Sequence, residues 1–144
     1  MESPARPTQH HIALTVTDLD ASIDWYSKVF GITLQMEGPH EGGYMKLLAD
    51  EAFQFVIVLH RHDANENELF VESRTGLDHL GMGVVTRADL ESWQDHLEAN
   101  GVVRSDMANK PLTQSAIADT DYGSVLVFRD PDNIQLELFA PPSQ

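Results

Sequence analysis

The stretch Gly123-Ser-Val-Leu-Val-Phe-Arg-Asp-Pro-Asp-Asn-Ile-Gln-Leu-Glu-Leu-Phe139 decides the fold. Its apolar run Val125 to Phe128 predicts a strand, and Asp130 to Asn133 has the composition of a tight turn, because Pro fixes φ while Asp and Asn bond to their own backbone. After the turn, aliphatic and polar residues alternate, which predicts a second strand with Glu137 on the face opposite the aliphatic side chains. We therefore expect a β-hairpin that carries a carboxylate within its closing strand.

The elements before this hairpin occur twice along the chain. A predicted strand that opens with His11 precedes a helix that contains Trp25, and a predicted strand that opens with His79 precedes a helix that contains Trp93. The positions within each of the two pairs, 11 and 79 or 25 and 93, differ by 68. Further apolar strand patterns complete each half in the order βαβββ. The sequence thus predicts an α+β fold in which two βαβββ modules form a cupped mixed sheet about a pseudo-twofold axis.

The boundaries of these modules follow from composition. We expect one domain over residues 1–144, with the first module at 10–61, a polar and acidic connector at 62–76, and the second module at 77–140. A chain of 144 residues is long enough to bury one sizeable core.

Helix start and stop signals frame one helix in each module. Asp18 and a second Asp two residues later offer N-cap oxygens for a helix that runs to about Phe30, and a Gly follows it. Thr86 is a predicted N-cap, with Asp89 three residues later as a weaker form of the capping box. The second helix is expected to end before Gly101.

Composition excludes several classes of function. The chain is 42% hydrophobic and 22% charged, as expected of a globular protein, and its formal net charge of -14 disfavours binding to nucleic acids and anionic membranes. It has no cysteine, and so no thiolate nucleophile and no thiolate metal ligand. With no apolar run of transmembrane length, we expect a cytoplasmic protein that acts on a small molecule.

The two equivalent histidines suggest a metal site. The pseudo-twofold symmetry predicts that His11 and His79 converge near the axis, with Glu137 on the closing strand of the second module. The residues that share a strand face with either histidine are small and leave space above the rings: Ala13, Thr15, Gly81 and Gly83. Two imidazoles and one carboxylate that face a cavity are a ligand set for a divalent metal with open coordination positions.

Simpler explanations exist for each residue alone. His11 follows another histidine and suits an exposed strand end, and His79 suits a hydrogen bond with the adjacent Asp78. Glu137 suits the solvated face of a sheet. Their combined placement favours the metal site.

These residues also carry a resemblance to a known family. The stretches His11 to Ser22, His79 to Val84 and Arg129 to Glu137, with Trp25-Tyr26, resemble the vicinal oxygen chelate superfamily. Its members include glyoxalase I, fosfomycin resistance enzymes, methylmalonyl-CoA epimerase, extradiol dioxygenases and bleomycin resistance proteins. The resemblance covers nearly the whole chain and implies one divalent metal (Fe, Mn, Zn, Ni or Co) held by His11, His79 and Glu137.

The sequence departs from each subfamily in an informative way. Glyoxalase I and the epimerase have a fourth ligand where this chain has Val58, or Ile57 in the alternative register. The fosfomycin enzymes have a Thr where this chain has Ala13, and both they and the extradiol dioxygenases have a Tyr where it has Val127. The first difference removes the second carboxylate that would shuttle a proton in glyoxalase chemistry.

The resemblance therefore implies a metal-dependent enzyme that acts on a substrate with vicinal oxygens, either as a glyoxalase-like lyase or isomerase or as an extradiol-type dioxygenase. A non-catalytic binding protein for a drug or antibiotic is the alternative, and a structural or empty metal site is a third interpretation. His60 and Tyr122 are candidate catalytic groups, whereas Arg129 is expected to brace the turn at Asp130. Related proteins often pair modules from two chains, so we expect a homodimer, with the site either within one chain or shared.

Overall fold

The computed structural model describes residues 2–143, so Met1 and Gln144 of the predicted domain 1–144 lie outside the described residues. The elements follow one another as β1 (Ile12–Thr15), α1 (Leu19–Phe30), β2 (Thr33–His40), β3 (Gly43–Ala49), β4 (Val56–His62), β5 (Leu80–Gly83), α2 (Arg87–Ala99), β6 (Val103–Arg104), β7 (Thr113–Gln114), β8 (Ala118–Thr120), β9 (Gly123–Arg129) and β10 (Gln135–Ala140). Neither helix is long and apolar enough to cross a bilayer.

The strands of each half form their own sheet. The first sheet has the order β1-β4-β3-β2, and the second has the order β5-β10-β9-β7-β6 with β8 also paired to β9. In both sheets the first strand of the module runs parallel to the last strand, which in turn is antiparallel to the strand before it. This confirms the predicted α+β class. The cup is made of two separately hydrogen-bonded sheets, with β1 and β5 as edge strands.

The second module departs from the predicted βαβββ order in its middle. Three short strands, β6, β7 and β8, occupy the part of the chain where the first module has the single strand β2. Between β6 and β7, Pro111 has no backbone N–H to donate to a sheet, and Leu112 has a φ of 60°, in the left-handed region. Both residues lie in the loop that returns the chain so that β7 runs parallel to β6, and β7 and β8 then pair one after the other with β9.

Both helices begin as their capping residues predict. The side chain of Asp18 accepts a hydrogen bond from the N–H of Ala21, and Gly31 ends α1 with a φ of 66°. Thr86 and Asp89 form a complete capping box, in which each side chain accepts from the backbone N–H of the other residue.

Two strands of the first module extend further than their sequence pattern indicates. Their alternation of apolar residues indicates strands over 32–36 and 53–59, whereas β2 runs to His40 and β4 to His62. The start of β4 is delayed because Asp50 Oδ1 accepts the N–H groups of residues 54 and 55, each at 2.8 Å, which lengthens the turn. This extension places three histidines on strands of one sheet.

The closing hairpin turn joins the two modules. Asp130 is fully buried, and its Oδ2 accepts the hydroxyl of Tyr26 on α1 at 2.8 Å, while its Oδ1 accepts the N–H groups of Asp132 and Ile134. The carboxylate of Asp132 accepts both the N–H and the hydroxyl of Thr17, at 3.0 and 2.5 Å. Burial raises the pKa of Asp130 to about 7.

Arg129 braces this turn, as predicted. Its guanidinium is buried, donates to the carbonyl of Asn133 at 3.2 Å, and forms a two-pronged pair with Glu72 of the connector at 2.9 and 3.0 Å. These hydrogen bonds lower the pKa of Glu72 to about 2. The connector is thereby tied to the second module.

The bond between Tyr26 and Asp130 predicts a pH-dependent loss of stability in Tyr26→Phe. Because the pKa of folded Asp130 is raised to about 7, its contribution to stability is full in acid and is lost as the pH rises through that value. The hydroxyl of Tyr26 stabilises the ionised carboxylate of Asp130 more than the protonated carboxyl group. We expect Tyr26→Phe to lower the free energy of unfolding by about 1–3 kcal/mol at pH 8 and by less at pH 5.

Urea unfolding at both pH values measures this difference. Tyr44→Phe is the control, because the Tyr44 hydroxyl bonds to Glu37 at the exposed surface, and its loss is expected to cost less than about 0.5 kcal/mol at either pH. An equal loss in Tyr26→Phe at both pH values would contradict the titration of Asp130 in this range.

Candidate metal centre

His79 and Glu137 lie next to each other in the second module. His79 immediately precedes β5, and Glu137 on β10 is opposite Gly81 in the register of the two strands. The distance from His79 Nε2 to Glu137 Oε2 is 2.7 Å. The side chain of Glu137 is 20% exposed, whereas Leu136 and Leu138 on either side of it are buried, so the predicted alternation of this strand is confirmed.

Asp78 orients the imidazole of His79. The distance from His79 Nδ1 to Asp78 Oδ1 is 2.7 Å, and Gln135 Nε2 donates to the same oxygen at 3.2 Å. With Nδ1–H donating to Asp78, the Nε2 atom is directed at Glu137. A carboxylate that receives the second N–H of a histidine is the usual support of a histidine metal ligand. The hydrogen bond between His79 and Asp78, which the sequence offered as an alternative to metal binding, is therefore also compatible with metal binding.

His11 faces the same open space as His79. It immediately precedes β1, and both histidines line a cavity of about 440 Å³ whose walls include Phe55 and Met82. A Cβ on Gly81 would meet no atom within 4 Å, and the same holds for the next glycine on that face, Gly83. The predicted space beside the histidines is thus present in the structure.

The single chain brings together two of the three predicted ligands. Within residues 2–143, the ligand atoms of His11, His79 and Glu137 do not form a group in which all lie within 4.8 Å of one another. Instead, His11 Nδ1 lies 2.8 Å from Nδ1 of His10. In the single chain, His11 is therefore not grouped with the other two predicted ligands.

The two adjacent ligands fit a divalent metal. Nitrogen and oxygen ligands lie about 2.0–2.2 Å from a bound zinc ion, so two neighbouring ligand atoms are roughly 3 Å apart. The His79 and Glu137 atoms, at 2.7 Å, need to separate only slightly to hold one ion.

The sheet register shows which residue stands at the fourth ligand position of glyoxalase I. Ala13 is opposite Val58, as Gly81 is opposite Glu137 in the second module. Val58 is therefore the equivalent of Glu137, and the alternative register with Ile57 is not found. Val58 has no atom that can bind a metal or carry a proton.

Neither of the two candidate catalytic residues lines the cavity that His11 and His79 share. Tyr122 is 68% exposed at the turn before β9, and its ring stacks on Phe139 with a centroid distance of 6.5 Å. His60 lies on β4 beside two other histidines. Burial lowers the pKa of His60, and the neighbouring histidines, including His11, lower it further.

Sequence reasoning missed the three-histidine group to which His60 belongs. Its other members are His40 and His62, and one ligand atom of each of the three lies within 4.8 Å of the others. The signal in the sequence is the spacing His60-Arg-His62 on a strand, because residues two apart share a face. The signal was overlooked because His62 was assigned to the connector.

Comparisons with known proteins agree with this architecture. Residues 8–138 match the family model of the glyoxalase/bleomycin resistance protein/dioxygenase superfamily. The chain is 30% identical to the uncharacterized protein YaeR of Escherichia coli over 132 residues, which is 90% of this chain and 93% of that protein. It also resembles a glyoxylase/bleomycin resistance protein/dioxygenase domain from Frankia, with 29% identity, a TM-score of 0.81, and coverage of 96% of this chain and 100% of that chain.

Two more distant structures share the fold. The fosfomycin resistance protein FosX of Listeria monocytogenes, solved with Mn(II) and dihydroxypropylphosphonic acid, is 16% identical with a TM-score of 0.60, over 94% of this chain and 93% of that chain. TnmS3, an antibiotic binding protein from Streptomyces, is 19% identical with a TM-score of 0.65, over 97% of this chain and 100% of that chain. Together with the family match over nearly its whole length, these findings establish that the chain belongs to the glyoxalase/bleomycin resistance protein/dioxygenase superfamily.

Proposed function

We propose that this protein is a divalent-metal-dependent enzyme that acts on a small substrate with vicinal oxygens. The observation that carries the proposal is the pair His79–Glu137, with Asp78 behind the histidine and an open strand face beside it. A structural metal would be closed off by protein ligands. The space over the strand face instead favours a site with coordination positions left for a substrate.

The residues of the site have distinct roles in this proposal. His79, Glu137 and His11 hold the ion, which supplies a Lewis acid for the substrate oxygens. Asp78 keeps the His79 imidazole in the tautomer that leaves Nε2 free. The half-buried Phe55 and Met82 offer an apolar wall to the carbon skeleton of the substrate.

The reaction class depends on which group moves protons. Val58 excludes the second carboxylate of a glyoxalase-type shuttle, so a lyase or isomerase route needs another base, for which His60 and Tyr122 are our candidates. A dioxygenase-like route needs iron and O2. We keep Fe, Mn, Zn, Ni and Co as candidate metals, and both routes as candidate reactions.

A second candidate function is the binding of a drug or antibiotic without catalysis. The apolar wall of the 440 Å³ cavity favours it, as does the similarity in fold to the antibiotic binding protein TnmS3. In this case ligand binding would not need the metal.

We further propose that the active unit is a homodimer with shared sites. In the single chain His11 is not grouped with His79 and Glu137, and the face around them is open. A symmetric dimer would supply His11 from one chain and the other two ligands from its partner, twice.

Metal content tests the site directly. We expect Glu137→Ala, His79→Ala and His11→Ala each to bind one equivalent of metal fewer than the wild type, because each change removes one of three ligands. Elemental analysis of untagged protein after reconstitution and dialysis gives the stoichiometry. Glu37→Ala, which removes a glutamate from another strand, is the control and should match the wild type. Full occupancy in Glu137→Ala would overturn the assignment.

Mixing variants tests whether the site is shared between chains. If two chains each contribute, unfolding and refolding an equal mixture of His11→Ala and Glu137→Ala restores one intact site in each mixed dimer. Half of the dimers are mixed and one of their two shared sites is intact, so about a quarter of the wild-type occupancy of this site returns. A site within one chain would recover none, and the measurement is again bound metal per chain.

Turnover separates an enzyme from a binding protein. For an iron-loaded protein the assay is O2 uptake with catechols, and for other metals it is the isomerisation of thiol adducts of oxoaldehydes. Loss of turnover in Glu137→Ala supports the enzyme. Tight binding of a small molecule that is unchanged in Glu137→Ala, with no turnover in the wild type, supports the binding protein instead.

A further inference from the structure

The first module contains a second group of potential metal ligands, His40, His60 and His62, which we call the histidine cluster. The sheet register explains why they meet. Gly43 on the central strand β3 is opposite His40 on one side and His62 on the other, and His60 lies two residues before His62 on the same face. Three imidazoles from two strands therefore extend over one patch of the sheet.

The rings are in close contact. The ring centroids of His40 lie 5.0 Å from those of His60 and of His62, and the centroids of His60 and His62 are 5.8 Å apart. The distance from His60 Nδ1 to His40 Nε2 is 3.2 Å, which matches the spacing of roughly 3 Å between two ligands of one ion. One nitrogen of each ring lies within 4.8 Å of the others, so small ring rotations suffice to bring all three to one ion.

Gly43 makes this arrangement possible. A Cβ at this position would lie 2.0 Å from the carbonyl oxygen of Arg61, and 2.5 Å from Cε1 and 2.9 Å from Nε2 of His40, all well inside van der Waals contact. The His40 ring therefore occupies the space that a side chain on the central strand would fill. Any other residue at position 43 would clash both with the backbone of Arg61 on β4 and with the His40 ring.

The hydrogen bonds already orient two of the rings. His40 Nδ1 lies 3.0 Å from the carbonyl of Glu41 and must donate to it, since a carbonyl only accepts. The lone pair of His40 Nε2 then faces His60 Nδ1, and an ion between these two nitrogens would require the proton of His60 to be on its Nε2. A histidine whose Nδ1–H is held by a backbone carbonyl presents its Nε2 as a metal ligand in many proteins.

We propose that His40, His60 and His62 form a second divalent metal site, specific for a transition metal such as Zn²⁺, Co²⁺ or Ni²⁺. Three neutral imidazoles suit these ions, whereas Mg²⁺ and Ca²⁺ prefer oxygen ligands. His40 and His60 are half-buried and His62 is exposed, so the ion would keep at least one position open to solvent.

This site is separate from the pair that carries the proposed function. The histidine cluster lies on β2 and β4 of the first module, whereas His79 and Glu137 belong to the second module. It uses none of the ligands His11, His79 and Glu137. The two sites therefore predict two equivalents of transition metal for each chain, lost independently of each other.

Cobalt binding to a variant without the first site tests the proposal. In His79→Ala/Glu137→Ala, titration with CoCl₂ should still give one equivalent, seen in equilibrium dialysis and in visible d–d absorption. Adding His62→Ala, an exposed position where substitution spares the fold, should weaken Co²⁺ binding by about 10-fold or more. His40→Ala, made in the same double variant, is a second test and should weaken Co²⁺ binding in the same way. His96→Ala is the matched control, because His96 bonds to the carbonyl of Val29 outside the cluster and should leave Co²⁺ binding unchanged.

The outcomes distinguish the two sites. Retention of one equivalent in the double variant, lost with His62→Ala or His40→Ala, supports the histidine cluster whatever happens at His79 and Glu137. Absence of Co²⁺ binding in the folded double variant overturns the cluster and leaves the proposed function intact. Unchanged Co²⁺ affinity in both cluster variants overturns it as well. Circular dichroism of each variant establishes that the chain is folded before the titration.

Discussion

The burial of two carboxylates in one tight turn constrains the rest of the structure. Asp130 and Asp132 lie in the hairpin of the second module, where burial penalises their charge unless donors are supplied. Several donors come from the first module, through the hydroxyl of Tyr26 and both polar groups of Thr17. Thr17 lies two residues after the end of β1, which His11 precedes, and Glu137 lies on the strand after the turn, so the same contact positions the candidate ligands of both modules.

The two histidines of the candidate site lie at the start of edge strands. β1 and β5 each pair with one neighbour only, and the small residues on their free faces leave the space in front of His11 and His79 open. Bulky residues point to the other faces, where Leu14 and Val16 enter the core. One face of each strand thus packs in the core, and the opposite face, with small or polar residues, is left for the candidate site.

The two groups of metal ligands differ in chemistry. Imidazole and carboxylate at His79–Glu137 suit a range of divalent ions, whereas three imidazoles select transition metals. The formal net charge of -14 favours the approach of cations to both groups. The carboxylate would also partly neutralise an ion bound at the first site, whereas the imidazoles of the second would not.

Much of the fold follows from local sequence. The alternation in β10, the caps of both helices and the 68-residue repeat each depend on a few neighbouring residues, and they predict the α+β class, both helices and the ligand candidates. The pairing of His79 with Glu137 could be anticipated as well, because the symmetry of the modules places β5 beside β10.

The features that depend on strand register, or on contacts between residues far apart in the chain, were decided only by the tertiary structure. Only the pairing of β1 with β4 identifies Val58 as the equivalent of Glu137, and only the alignment across Gly43 brings His40 to His60 and His62. The sequence by itself determined which residues face the same side of each strand, because that depends on local alternation. It did not determine which strands lie side by side or how far each extends, because those depend on contacts between residues far apart in the chain.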